Sequence, residues 1–419
     1  MNNEGSDKQA INRNVIQAAQ HLLQQNFAVP CDVKSITFLS EPERRNVVLR
    51  LYLENNFDDI PASIILKQSL PEARDDDDED AYARFARDWA GLEFLSRVKQ
   101  WHHNFPKFYG GNKEHRFILL EDLGVDHISL VDYLTLPNRA EAIAALTRFM
   151  TALGNFHAAS FGHVSKYETI LHSVNQQAKS IHDELDFIVS DLVPELGLAN
   201  KSLGLTVTHE LIQEARSLIK SLITPGSFTV LTHGDICPDN VFDHKDSQEL
   251  QLIDFEWACV RNALLDGTYL RMSMPTCWCA KAIPHEVIEP LEIIYREELK
   301  RTIPAASDDL AYMTAYTEAC GFWLLQQTIP LLNSVIDNDR VGPSGPTPEN
   351  SLWKSEENNV RPRVLARLEA FIDIALKNDQ LPHLRKMAQD MLATVKTRWS
   401  DVKPLEFYPA FMDCKRGSK

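Results

Sequence analysis

Residues Val230–Phe242 read V-L-T-H-G-D-I-C-P-D-N-V-F, and after a short polar link residues Leu250–Trp257 read L-Q-L-I-D-F-E-W. The apolar run Phe228–Leu231 has the length and composition of a strand, and it delivers His233, Gly234 and Asp235 at its end. Asn240 follows five positions after Asp235. A second apolar run, Leu250–Ile253, delivers Asp254 in the same way. The polar stretch Asp243–Glu249 between the two runs reads as the turn of a hairpin, which would bring Asn240 and Asp254 side by side.

Two carboxylates and an amide oxygen in one small space suit phosphoryl transfer on magnesium. One carboxylate positions a hydroxyl and takes its proton, while the amide oxygen and the second carboxylate hold the ion that neutralises a triphosphate. Taken alone, His-Gly-Asp would pass for a hairpin with solvated carboxylates. With Asn240, Asp254 and the intervening hairpin, the stretch H-G-D-x-x-x-x-N followed by I-D-F-E resembles the aminoglycoside phosphotransferase and choline kinase family, the small-molecule branch of the kinase-like fold. His-Gly-Asp stands where protein kinases have His-Arg-Asp, and Glu256 stands in place of the glycine of D-F-G. The resemblance implies an α+β, two-lobed protein-kinase-like fold: a small antiparallel β-sheet lobe, then a larger, mainly helical one. It implies Asp235 as the catalytic base, Asn240 and Asp254 as magnesium ligands, and ATP as phosphoryl donor.

Upstream, Ile36–Phe38, Val47–Leu53 and Ala62–Lys67 read as three successive strands, rich in β-branched and alternating residues. The third ends in I-I-L-K, similar to the kinase V-A-I-K, so the resemblance assigns Lys67 to the α and β phosphates. The helix expected from about Ala81 to Val98 puts Phe85, Trp89, Leu92 and Leu95 on one face. Its R-D-W-A-G-L-E-F-L matches the family's R-E-x-x-x-L-x-x-L, with Asp88 at the position whose acid pairs with the strand lysine; Glu93 faces another side. The strands Phe105–Gly111 and Phe117–Leu120 lead to L-L-E-D-L-G, which resembles the family's lobe connector. Leu120, Glu121, Asp122 and Leu123 are the expected adenine-binding hinge, through main-chain groups. A kinase has a glycine-rich flap between its first two strands, but Ser40–Asn46 contains no glycine; Arg44, Arg45 or the Asn46 amide are the groups there able to assist phosphate. Residues 71–80 are an acidic link.

Before this lobe, Ile11, Val15, Ala18, Ala19, Leu22 and Leu23 recur at helical spacing, giving an amphipathic helix that packs on the first lobe. After it, Asn138 with Glu141 three residues on reads as an N-cap of a long helix with His157 packed late in it. Helices are expected over 176–195 and 207–223, with Pro225-Gly226 ending the second. Asp266 stands where related enzymes have an aspartate bracing the catalytic loop, although their glycine is Asn262 here. The rest, to about Trp399, reads as helices interrupted by the Pro/Gly-rich Val341–Pro348, a connection. The expected boundaries are a 1–30 N-terminal helical extension, a 31–123 nucleotide-binding lobe with hinge, and a 124–419 helical lobe with the catalytic loop and acceptor site.

The chain has 419 residues, enough for two cores, and its 43 Lys plus Arg against 59 Asp plus Glu give a net charge of −16. That surplus argues against a nucleic-acid partner and favours a neutral or cationic acceptor. No run is long and apolar enough to span a bilayer, and Met1–Gln9 lacks the pattern of a secretion signal, so a cytoplasmic protein is expected. Seven cysteines without framework spacing suit a reducing compartment. Cys277 and Cys279 stand too close in sequence for a tetrahedral clamp and have no second pair nearby; buried thiols are expected. The function read from these residues is an ATP- and magnesium-dependent phosphotransferase acting on a hydroxyl of a small molecule such as an aminoglycoside, amino alcohol or sugar. Its acceptor cleft would be walled by 137–227 and the C-terminal helices, with Glu256, Trp257 and Trp278 available to line it. The alternative is a catalytically silent nucleotide-binding scaffold, which the glycine-free flap and the short Asp88 would suit.

Overall fold

The computed structural model describes residues 12–40, 46–54, 60–71, 78–97, 104–180, 186–244, 249–342 and 358–412. The flap residues 41–45, most of the acidic link, the turn 245–248 and most of the Pro/Gly-rich loop lie outside them. The chain divides into two compact units. The first comprises Met1–His127, Ser165–Ala178 and Gln251–Ala258; the second comprises Ile128–Val164, Lys179–Leu250 and Cys259–Lys419. The contiguous boundaries read from the sequence therefore differ from this division in two returning segments.

The first unit is built on a five-stranded sheet in the order β1-β2-β3-β5-β4, antiparallel throughout. Its strands are β1 (Asp32–Phe38), β2 (Asn46–Glu54), β3 (Ser63–Ser69), β4 (Phe108–Asn112) and β5 (Phe117–Glu121). Alternation along β2 and β3 sends Leu49, Leu51, Leu53, Ile64 and Leu66 into one core. The helix α1 (Arg13–Phe27) closes that core with Val15, Ala19 and Leu23, its first turn capped by the Asn12 side chain. It is thus part of the sheet's own core rather than an appended extension. Helix α2 (Asp78–Arg97) follows β3, with Phe85, Leu92 and Leu95 buried and Trp89 half-buried. The segment 165–178 belongs here because Tyr82 donates to the Val174 carbonyl (3.2 Å) and Lys113 to the Ser173 carbonyl (2.5 Å).

The second unit is mainly helical. It opens with β6 (Ile128–Ser129), α3 (Leu130–Thr135) and α4 (Arg139–Ser160), the last capped by Asn138, whose oxygen accepts the Glu141 N–H at 3.3 Å. After α4 the chain returns to the first unit in α5 (Val164–Val174), and the second unit resumes with helices over Leu192–Leu203 and His209–Ile223. Of the helix expected over 176–195, the described residues up to 180 are not helical, and helix is present only in the later part. The Asn175 side chain accepts the Gln177 N–H at 3.0 Å, a turn that ends α5, and a π-helical turn, Phe187–Asp191, enters Leu192–Leu203. Strand β7 (Thr229–Thr232) pairs antiparallel with β10 (Cys259–Asn262). Between them β8 (Val241–His244) and β9 (Glu249–Leu252) are neighbours in a three-stranded sheet with β6, so the expected hairpin is present. Asp243, expected in its turn, lies instead within β8 and is fully buried, paired with Arg148 of α4. The C-terminal region supplies helices over His285–Lys300, Asp309–Trp323, Ile329–Val335, Val360–Lys377 and Pro382–Arg398. A small antiparallel-sheet unit and a larger helical one constitute the α+β, kinase-like fold that the resemblance implied. Among the described residues, no helix is long and apolar enough to cross a membrane.

Candidate active site

In the first unit the register of β3 places Lys67 opposite Val48 of β2 and Ile118 of β5, in the middle of the sheet. Its side chain is almost wholly buried, and the ammonium meets Asp88 Oδ2 and Asp254 Oδ1, each at 2.6 Å. Asp88, on the inner face of α2, uses its other oxygen to accept the Phe255 N–H at 2.9 Å. One carboxylate therefore fixes both the lysine and the D-F-E segment, and its shorter side chain still makes the ion pair. Glu93 points elsewhere, accepting from the Trp89 indole at 2.6 Å and pairing with Arg97.

Two local features set Asp254 in place. Its φ of +69° is a left-handed conformation, which aspartate adopts more readily than most residues. Phe255 is fully buried against Phe105, and Gly91 of α2 sits directly over it. A Cβ at position 91 would lie 2.9 Å from Phe255 Cβ, so only glycine lets the helix come this close.

Glu256 is also buried, within reach of the Asn46 amide at 3.4 Å, while Trp257 is half-buried beneath the Arg84 guanidinium. Burial alone would lower the Lys67 pKa, but Asp254, Asp88 and Glu256 override it and hold the ammonium charged. Burial, joined by the neighbouring Asp254, outweighs the opposing effect of Lys67 and raises the Asp88 pKa as well. Three carboxylates facing one ammonium leave an excess of negative charge, an environment that fits a divalent cation.

The connector after β5 is committed largely to structure. The Glu121 N–H donates to the Lys107 carbonyl at 2.8 Å and its carboxylate accepts the Lys107 N–H at 3.0 Å. Asp122 accepts from Arg50 Nε (2.6 Å), from the Ser63 hydroxyl (2.6 Å) and from the Gly124 N–H (2.9 Å). Burial would raise its pKa, but these bonds hold it below the usual carboxylate value. Leu120 is buried in the sheet and Leu123 is half-buried after it.

In the second unit the end of β7 leads into His233, Gly234 and Asp235. Gly234 has φ +82°, the turn conformation that explains a glycine between His233 and Asp235. The loop is held from below by fully buried Asp266, which accepts the His233 N–H at 2.6 Å and the Gly234 N–H at 3.4 Å and faces His157 Nε2 at 3.3 Å. Burial would raise the Asp266 pKa, yet His157, Arg261 and His233 hold it down, whereas burial lowers that of His157. His157 also meets the Tyr295 hydroxyl at 2.7 Å, so it is the packed core histidine expected, and Asp266 is the expected brace.

Asp235 itself is half-buried. Its Oδ1 accepts from the Thr276 hydroxyl, from Cys237 Sγ (3.1 Å) and from the Tyr269 hydroxyl (3.4 Å). Among the described residues Oδ2 has no partner, so one oxygen is anchored and one is open to a hydroxyl. Asn240, at the end of a 3₁₀ turn, donates Nδ2 to the Asp235 carbonyl at 2.9 Å, which fixes the amide and leaves Oδ1 as the atom to offer a cation. Trp278 donates its indole N–H to Asp239 at 2.7 Å. The structure thus brings Lys67, Asp88 and Asp254 together in one unit, and Asp235 and Asn240 together in the other.

Thr276 and Tyr269 escaped the sequence reading. They lie 41 and 34 residues from the carboxylate they contact, on a segment whose only marked feature is its cysteines.

The sequence model of the ecdysteroid kinase-like family matches residues 82–302, more than half of the chain. The chain belongs to the ecdysteroid kinase-like family. The matched region contains Asp88, the connector, His157, the loop from His233 to Asn240, Asp254 and Asp266, while Lys67 lies upstream of it. No curated protein matches the chain in sequence. Among solved structures it is similar to choline kinase from Cryptosporidium parvum Iowa II, with 11% identity, a TM-score of 0.45, and coverage of 89% of this chain and 99% of that one. It is also similar to the GDP complex of wild-type aminoglycoside 2'-phosphotransferase-IIIa (13%, TM-score 0.41, 87% and 99%) and to amicoumacin kinase hAmiN in complex with AMP-PNP, Ca2+ and Ami (12%, TM-score 0.42, 94% and 98%).

Proposed function

We propose that the protein is an ATP- and magnesium-dependent phosphotransferase that phosphorylates a hydroxyl group of a small molecule. The observation that carries the reading is the buried Lys67 ammonium held at 2.6 Å by both Asp88 and Asp254. A lysine merely capping a strand would point to water. Here a strand, a helix and the D-F-E segment converge on it, as positioning a polyphosphate requires.

In this reading Lys67 binds the α and β phosphates, and Asp88 keeps its side chain extended toward them. Asp254 and Asn240 Oδ1 hold the magnesium ion, which supplies charge neutralisation for the triphosphate. Because the Glu121 N–H is committed to the sheet, the main-chain groups of Asp122 and Leu123 are the ones left in the Leu120–Leu123 hinge to receive the base. Asp235 uses its open Oδ2 to orient the acceptor hydroxyl and to take its proton as the phosphoryl group arrives. Thr276 and Tyr269 keep Oδ1 from turning into that role.

The acidic balance favours a neutral or cationic acceptor, and the family's name places a polyhydroxylated steroid beside amino alcohols and aminoglycosides as the first compounds to try. A location in the cytoplasm belongs to the same proposal. The test is calorimetric titration of ATP with and without Mg²⁺: Asp254 and Asn240 offer only acceptors, which repel a triphosphate unless a cation bridges them. Marked weakening without the ion is expected, and equal affinity in both would overturn the metal assignment.

A further inference from the structure

The fold gathers thiols from two places beside the catalytic loop. Cys237 Sγ, Cys277 Sγ and a carboxylate oxygen of Asp239 all lie within 4.8 Å of one another, and Cys279 Sγ is 2.9 Å from Cys277 Sγ. The three cysteines are buried and free, while Asp239 is half-buried. In the sequence, Cys277 and Cys279 lacked a second pair of ligands. The structure supplies one in Cys237 and Asp239, about forty residues earlier in the chain.

A second observation, independent of the thiols, is charge. Arg363 and Arg367 are fully buried, and their hydrogen bonds go to main-chain carbonyls: Arg363 to Gly342 (2.5 Å) and Cys277 (2.8 Å), Arg367 to Met272 (3.0 Å), Ser273 (3.2 Å) and Met274 (3.1 Å). Arg363 Nε and Arg367 Nη1 have no hydrogen-bond partner. Neither guanidinium is paired with a carboxylate among the described residues. Two buried cations without a counterion are costly, and neutral thiols beside them do nothing to offset that cost.

We propose that Cys237, Asp239, Cys277 and Cys279 form a binding site for a thiolate-preferring divalent cation, zinc being the ion of matching chemistry. Sulfur bonds of about 2.3 Å in a tetrahedron set ligand sulfurs about 3.8 Å apart, so Cys279 swings outward by roughly 1 Å to join. Each thiol releases one proton on binding. Zn²⁺ with three thiolates and one carboxylate carries a charge of −2, which Arg363 and Arg367 neutralise. The Trp278 N–H at 2.7 Å from Asp239 is the outer donor that orients a metal-bound carboxylate. Occupancy would also remove the Sγ–H that Cys237 donates to Asp235, linking the metal to the carboxylate that the proposed function uses.

The test does not depend on activity. The full-length protein, purified in reducing buffer without chelator, is titrated with Co²⁺ and, separately, with Zn²⁺ in the presence of excess Mg-ATP. The expected result is a thiolate-to-cobalt charge-transfer band saturating at one ion per chain and bleached by one equivalent of zinc. The Cys277→Ser variant, checked for folding by circular dichroism, should bind zinc at least tenfold more weakly. Absence of the charge-transfer band in folded wild-type protein would overturn the proposal even if the variant failed to fold, because metal held by oxygen ligands at the nucleotide site gives no such band. Unchanged zinc affinity in a folded Cys277→Ser variant would also overturn it.

Discussion

Replacing Asp88 by asparagine removes one negative charge from the Lys67 site and leaves its shape intact. In the wild type Lys67 is 8% exposed, lies 2.6 Å from Asp88 and 2.6 Å from Asp254, and Asp88 also accepts the Phe255 N–H at 2.9 Å. Asparagine can keep the bond to Phe255 through its own oxygen, but it presents an N–H to the ammonium where a carboxylate oxygen had been. Breaking a buried ion pair outright costs roughly 3–5 kcal/mol, because the surviving charge is orphaned. Here Asp254 still faces Lys67, and losing the Asp88 charge relieves its repulsion with Asp254. The cost should therefore fall nearer that of a hydrogen bond to a charged group, roughly 1.5–3 kcal/mol, and we expect about 2 kcal/mol. Asp88→Ala also strands the buried Phe255 N–H, adding at least about 1 kcal/mol. Urea denaturation at neutral pH, followed by intrinsic tryptophan fluorescence, measures both. An asparagine variant within about 0.5 kcal/mol of wild type, or an alanine variant no worse than the asparagine one, would refute the view that Asp88 couples the lysine to the D-F-E segment.

Two further outcomes are expected. Thr276→Val removes a donor from Asp235 Oδ1 without changing side-chain volume greatly; at roughly 1.5–3 kcal/mol for a bond to a charged group, kcat should fall about ten- to hundredfold with KM for ATP unchanged, and an equal rise in KM would argue against a positioning role. His157 has a pKa lowered by burial from the usual 6.5, so below that value the unfolded imidazole takes a proton that the folded one resists; stability should be complete above pH 6.5 and decline as pH falls toward the folded pKa. Denaturation midpoints of wild type and His157→Gln at about pH 7.5 and about pH 5.5 check this, because the variant should lose the extra decline and a parallel decline in both would contradict it.

Local patterns made much of this legible. The hairpin and its flanking strands follow from two apolar runs around a polar link, Lys67 from its place at the end of a third strand, and the choice of Asp88 over Glu93 from helical phase, which puts the two on different faces of α2. The contacts of Asp235 were not legible, since Thr276 and Tyr269 are common residue types far away in the chain and carry no periodic signal. Asp243 was read as a turn residue on polarity alone, although Arg148 of α4 neutralises it inside a strand. Likewise the run after Asn175 is helical in composition, but one side-chain hydrogen bond diverts it.

The central claim is that Asp235 activates a small-molecule hydroxyl for attack on ATP, and it is tested most directly by ADP release. Wild-type protein and Asp235→Asn would be assayed with Mg-ATP against polyhydroxylated steroids, choline and other amino alcohols, aminoglycosides, sugars and a generic protein substrate, with ATP affinity measured alongside. The account predicts release above the acceptor-free rate with at least one small hydroxyl compound, abolished by Asp235→Asn at nearly unchanged ATP affinity. Release confined to the protein substrate, binding of ATP without turnover on any compound, or an Asp235→Asn variant as active as wild type would contradict it.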